Sequence, residues 1–242
     1  MTPNPPRRTL PIHGGQTSPV LSVVDLSRVV YSAGKVFDGL GTGRLESESF
    51  LRSGALDGVT SRSDLALLED LRDVSKYIIE NRDQPLTNTY VRAVNSQITR
   101  SGPLHPGAYR TGAQKIGVIT FYGPHEPQPS NDVALQQIID KAMALPEPRE
   151  QALELFVEIA KAQPFQDGNK RTALFVANSV LIRQPEPKLL IVPMDESTPD
   201  SVLSSAGWFH ELLAEAYVLD ESDHVKDLLR AQGFVMAAVV GR

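Results

Sequence analysis

The sequence predicts a mainly α-helical fold carrying one small β-hairpin. Three observations predict it. Apolar residues recur at helical spacing through much of the chain, most clearly at Leu67, Leu71, Val74 and Ile78. Strand-like alternation is confined to one stretch between Gly102 and Pro129. No strand–helix alternation and no internal repeat runs along the chain, which argues against a doubly wound or solenoid architecture.

Residues 1–19 hold five of the eighteen prolines and two adjacent glycines, a composition that buries too little surface to offset ordering, so a disordered tail is expected. From Val20 to Val36 the positions of Leu21, Val24, Val29 and Val30 suit a helix, which the glycine-rich DGLGTG at 38–43 then breaks. That glycine cluster is read as a turn, because no Gly-Lys-Ser/Thr follows and no strand precedes it. Residues 64–80 form the clearest helix, with Ser63 or Asp64 as its cap, and Asn88 to Thr99 form the next. Ile116, Val118, Thr120 and Tyr122 alternate as a hairpin strand does. Helices resume at Asn131–Ala144, Arg149–Ala162 and Asn169–Ile182. A short apolar run at Leu189–Val192 follows, and helices at Asp200–Val218 and His224–Leu229 finish the fold. Trp208 and Phe209 read as core residues.

Composition narrows the function classes. Lys plus Arg number 24 against 29 Asp plus Glu, a net charge of −5, so a broad basic surface for nucleic acid or anionic membrane is not expected. The chain has no cysteine, which removes disulfides, thiolate metal sites and a cysteine nucleophile. The apolar run Phe234–Val240 falls far short of the roughly 20 residues a membrane helix needs. The polar, proline-rich start lacks a secretory signal's apolar stretch. The expectation is a soluble, cytoplasmic protein.

The chemistry concentrates in Gln163-Pro-Phe-Gln-Asp-Gly-Asn-Lys-Arg171, a polar loop between two strongly apolar helices. Pro164 ends the first helix and Asn169 opens the second, which is apolar on nearly all sides and therefore central. A helix start offers unpaired N–H groups and a positive dipole end, Gly168 permits close approach, and Lys170 with Arg171 adds charge. Cations there are unfavourable unless an anion compensates, which is the pattern of a phosphate site. Asp167 would then suit a magnesium ion that also bridges phosphate oxygens. An equally weighted reading makes Asp167 or Asn169 a cap and pairs Arg171 with a nearby carboxylate. Elsewhere, His210-Glu-Leu-Leu-Ala214 lacks a metalloprotease helix's second histidine, and 220–224 reads as a solvated turn.

QPFQDGNKRTAL resembles the signature of the Fic (Fic/Doc) family, HxFx(D/E)GN(G/K)RxxR. Leu104 to Arg110, Ile116 to Val118 and Tyr122 to Pro127 resemble the region upstream of it, including the family's β-hairpin flap. Ser53 to Gly58 resembles the inhibitory-helix motif (S/T)xxxE(G/N), so Ser53, Asp57 and Gly58 become regulatory candidates. The resemblance implies a Fic-type helical bundle, and beyond the tail at 1–19 the chain divides into an N-terminal helical region at 20–100 and a Fic-like core at 101–242. It implies a nucleotidyltransferase that moves AMP from ATP, or another nucleoside triphosphate, onto a protein hydroxyl. It assigns Mg2+ to Asp167, anion-hole donors to Gly168 and Asn169, phosphate neutralisation to Arg171 and loop anchoring to Phe165. A protein target would dock at the flap, near 114–125. Nucleic acid and membrane are not expected as partners, and a homo-oligomer is left open.

Four positions depart from the family pattern. Gln163 stands in place of the histidine that serves as general base, and an amide has no useful pKa near neutrality. Transfer is therefore expected to be reduced or lost, leaving a pseudoenzyme that binds nucleotide or a partner as the alternative. Lys170 replaces a glycine, as in the Doc-like branch that transfers phosphate, which leaves a protein kinase as another alternative. Leu174 replaces the second arginine, and Asp57 is one methylene shorter than the inhibitory glutamate. His105 and His125, in the flap region, are candidates to replace the missing base.

Overall fold

The computed structural model describes residues 21–114, 116–194 and 205–237. Its centre is α7, Asn169–Leu181, in which every residue except Lys170 is buried. Its apolar run leaves no face for water, so other helices enclose it. They are α1 (Ser27–Asp38), α3 (Arg62–Glu80), α4 (Asn88–Asn95) and α6 (Pro148–Ala162), with α6 making the most extensive packing. A 3₁₀ turn, Val23–Leu26, leads into α1. Around these lie α2 (Arg44–Ser53), α5 (Asp132–Met143), α8 (Ser205–Val218) and α9 (Asp223–Gln232). One hydrophobic core extends from Leu21 to Leu229, joining both sides of residue 100.

Local signals place the helix starts. The Ser61 hydroxyl accepts from the Asp64 N–H at 3.0 Å to cap α3, so the cap lies before either expected residue, Ser63 or Asp64. Thr87 caps α4 and Asn131 caps α5 in the same way, while Pro148 opens α6. Gly39 ends α1 in the left-handed region, so the DGLGTG stretch is a turn.

The hairpin expected near 102–129 is β1 (Val118–Thr120) paired antiparallel with β2 (Gly123–His125), in register Val118↔His125. A second antiparallel pair, β3 (Lys188–Leu190) with β4 (Phe234–Met236), corrects the expectation of a single hairpin. The helix α2 was not expected either: Arg44-Leu-Glu-Ser-Glu-Ser carries almost no apolar periodicity. Trp208 is 48% exposed, against its expected core place, whereas Phe209 is fully buried. The expected tail at 1–19 and residues 200–204 of the expected helix lie outside the described residues.

The turn after α1 is fastened by Asp64. Its Oδ2 accepts from the Thr42 N–H, the Thr42 hydroxyl and the Thr60 hydroxyl at 2.7, 2.7 and 2.6 Å. Burial alone would raise this carboxyl, but those bonds outweigh it and hold the pKa at about 2. A depressed acid stabilises the fold above its unfolded pKa of roughly 3.9, and that contribution fades as pH falls toward the folded value. Asp64→Ala is expected to cost about 2 kcal/mol in denaturant unfolding at neutral pH and progressively less at pH 3. A pH-independent loss would refute the assignment.

Candidate functional site

The loop from Gln163 to Asn169 is built by its own side chains. Gln163 caps α6 in the left-handed region at φ 42 and ψ 60, unusual for a residue other than glycine. Arg110 holds it there: its Nε donates to the Gln163 carbonyl at 2.8 Å, and its main-chain N–H donates to the Pro164 carbonyl at 3.0 Å. Phe165 is fully buried and stacks on Tyr109 with ring centroids 6.1 Å apart and planes within 4°. Asn169 clamps Phe165 from both sides. Its Oδ1 accepts from the Phe165 N–H at 2.8 Å and its Nδ2 donates to the Phe165 carbonyl at 2.9 Å. The Asn169 amide is thus spent on loop shape, and the helix cap is Gly168 rather than a side chain.

Gly168 is required on two counts. Its φ is 72, and a β-carbon there would lie 2.7 Å from Ile98 Cδ1. Beneath the loop sits Asn95, fully buried, whose Nδ2 donates to the Asp167 carbonyl at 3.1 Å and to Thr172 Oγ1 at 3.0 Å. Its Oδ1 accepts from the Gly107 N–H at 2.8 Å, so one side chain ties α4, the loop and α7 to the segment before the hairpin.

The charged groups gather at the start of α7. Arg171 is 2% exposed; its Nη1 donates to Ser101 Oγ at 2.8 Å and its Nη2 to the Ser101 carbonyl at 3.2 Å. Two carboxylates flank it, Asp38 at 3.4 Å from Nε and Asp167 at 3.6 Å from Nη2. The Asp167 side chain is 56% exposed and accepts from the Gly168 N–H, while Asp38 comes from the last turn of α1. Burial raises the Asp38 carboxyl, with Arg171 opposing and Asp167 reinforcing the rise. Lys170 lies with its Nζ 5.3 Å from the Phe37 ring centre, and burial lowers its pKa.

Lys170 also lines a cavity of about 530 Å³ between the hairpin and α8. Val118 to Phe121 form one wall and His210, Leu213, Ala214 and Tyr217 much of the other. The lining is mostly apolar, yet the Tyr217 hydroxyl is buried with no hydrogen-bond partner among the described residues. Burial, then Lys170, lowers the His210 pKa, so its imidazole is neutral at pH 7. On the rim Ile119 is 91% and Phe121 93% exposed, while Tyr122 reaches Glu211 and Glu215 of α8 at 3.5 and 3.4 Å.

Several candidates stand elsewhere. Ser53, Asp57 and Gly58 are exposed, and the Ser53 hydroxyl donates to the Ser49 carbonyl. The carboxylate facing Arg171 from the N-terminal helices is Asp38. Leu174 is fully buried, a core position. His105 is exposed, and His125 donates from Nε2 to the Lys161 carbonyl at 2.7 Å with its ring on Tyr217. Asp38, Asn95, Ser101 and Tyr217 were missed, and His210 was set aside as a metal ligand: each reaches the site by tertiary packing, and only the helix-ending Asp38-Gly39 carried a local signal.

Fold and site define a helical bundle with a cation-bearing central-helix start beneath a β-hairpin. Residues 85–181 match the model of the Fic/DOC family. Among solved structures, Fic-1 from C. elegans aligns at 16% identity and a TM-score of 0.61, covering 85% of this chain and 60% of that one. A Fic domain containing signaling protein from Bacteroides thetaiotaomicron aligns at 16% identity and a TM-score of 0.56, covering 85% of this chain and 83% of that one. The chain thus spans about 60% of the length of the C. elegans structure. No curated protein matches it in sequence. Among the described residues no helix is long and apolar enough to cross a membrane.

Proposed function

We propose that the chain binds a nucleoside triphosphate, ATP by preference, and is related to enzymes that transfer AMP from it to a protein hydroxyl, with its own transfer rate reduced. The observation that carries this reading is the apolar cavity between hairpin and α8 with Lys170 in its lining. A flat base suits that cavity, and the unpaired Tyr217 hydroxyl would gain a partner from it. Phosphates would then lie at the start of α7, where main-chain N–H groups, Lys170 and Arg171 converge. Asp167 fits a magnesium ion, because Mg2+ takes one or two carboxylates together with phosphate oxygens, and this carboxylate is exposed beside the helix start. When bound, that ion would neutralise phosphate charge. The exposed Ile119 and Phe121 suit docking of the target segment.

This chain's residues bind and orient well but lack a proton acceptor at 163. Positioning and charge neutralisation dominate phosphoryl-type transfer, so binding survives where rate does not. Gln163 favours a second reading, a pseudoenzyme acting by occupancy, and Lys170 favours a third, phosphate transfer. Incubating the protein and candidate targets with ATP labelled on the α- or the γ-phosphate separates them. Slow incorporation of α-label only supports the proposal, γ-label alone makes it a kinase, and binding without incorporation makes it a pseudoenzyme.

Asp38 occupies the edge of Arg171 that a phosphate would take, so nucleotide must displace a carboxylate already there. Asp38→Ala is expected to tighten Mg-ATP binding about fivefold by calorimetry, since it removes a competing ion pair worth about 1 kcal/mol. Unchanged or weaker binding would show that Asp38 does not compete with phosphate for Arg171.

A further inference from the structure

Arg171 does not orient itself. Its two terminal nitrogens both end on Ser101, one on the hydroxyl at 2.8 Å and one on the carbonyl at 3.2 Å, which fixes the plane of the guanidinium. Ser101 is in turn held by Asp70 of α3: its N–H and its hydroxyl both donate to Asp70 Oδ2, at 2.7 and 2.8 Å. Asp70 is fully buried and also accepts the main-chain N–H groups of Thr99 and Arg100, while Arg100 Nη1 donates to it at 3.1 Å. The segment 99–101 is wrapped around one carboxylate. The hydrogen bonds run in one direction, from the guanidinium to the serine oxygen and from the serine O–H to the buried anion.

We propose that Ser101 and Asp70 are positioning residues for ligand phosphate: they hold the Arg171 guanidinium so that its remaining edge faces the mouth of the loop before any ligand arrives. This rests on the reading that Arg171 takes phosphate. Two features support it beyond ordinary packing. Because the serine proton is committed to Asp70, the Ser101 oxygen presents its lone pairs to Arg171 and cannot turn to donate elsewhere. The bonds to Ser101 also leave the Nε edge of Arg171 for Asp38, the group a phosphate would replace. A group fixed in advance makes charged contacts without reorganisation on binding, and supporting partners of this kind commonly change ligand affinity tenfold or more, by about 10- to 100-fold at metal sites.

The test is a double-mutant cycle on Mg-ATP affinity, measured by calorimetry on the full chain. Ser101→Ala is the working variant, since Asp70 keeps its bonds from Thr99, Arg100 and the residue 101 N–H, and thermal unfolding checks that the fold persists. Asp70→Asn loses acceptors for several buried donors and serves only if it folds. Ser101→Ala is expected to weaken binding about tenfold in the native background and less than about twofold in an Arg171→Ala background, with Ser101→Thr, which keeps the hydroxyl, near native. An equal loss in both backgrounds, or none in the native one, overturns the inference. A different result, Arg171→Ala binding as tightly as native, overturns the phosphate reading and the inference with it.

Discussion

Gln163→His is expected to raise nucleotide transfer by about 10² to 10⁴, the usual range for general-base catalysis. The site is shaped to accept the change. Residue 163 sits in the left-handed region, where histidine is among the better tolerated side chains, and Pro164 follows unchanged. The bonds that hold it, from Arg110 to its carbonyl and from its own N–H to the Ile159 carbonyl, are main-chain bonds that a histidine keeps. The imidazole would supply near neutrality the proton acceptor that an amide lacks. Incorporation of α-labelled nucleotide into protein by native and variant chains measures the gain. No gain, with nucleotide binding intact, would place the defect at Lys170 or Leu174 instead of at Gln163. Leu174 is fully buried in α7, so restoring an arginine there would place a charge in the core.

Arg171→Ala is expected to weaken Mg-ATP binding by about 10- to 100-fold, since hydrogen bonds to charged groups contribute about 1.5–3 kcal/mol each. The loss should also lower stability, because Asp38 and Asp167 would face each other without the cation between them. Calorimetric titration reads the first effect and thermal unfolding the second. A protein that unfolds more easily but binds as before would make Arg171 a structural cation only, and would remove the phosphate role.

The long helices were legible because their burial is periodic: the expected 64–80 is Arg62–Glu80, and the expected Asn169–Ile182 is Asn169–Leu181. The helix α2 was not, because it buries only Ser47, Phe50 and Leu51, and its other apolar residue, Leu45, is exposed among charged and polar neighbours. The pairing of Leu189 with Val235 was equally hidden, since two three-residue strands far apart in sequence leave no local pattern. At the site, the loop residues were legible through their chemistry, but their division of labour was not. Asn169 looked like a donor for an anion and is committed to Phe165, a fact that depends on how the loop closes. Both weighted readings of Arg171 also meet in one place. It does pair with a nearby carboxylate, and that carboxylate lies on a helix 133 positions away, since 171 − 38 = 133.

Asn95 has a consequence for the order of folding. Its amide closes contacts across 72 and 77 residues, to the Asp167 carbonyl and to Thr172. Closing loops of that length costs chain entropy that only a largely assembled bundle can offset. The clamp therefore forms late, after α4, α6 and α7 have docked. On gradual denaturation it should open before the bundle does, and the site's shape would vanish while most of the helix content remained.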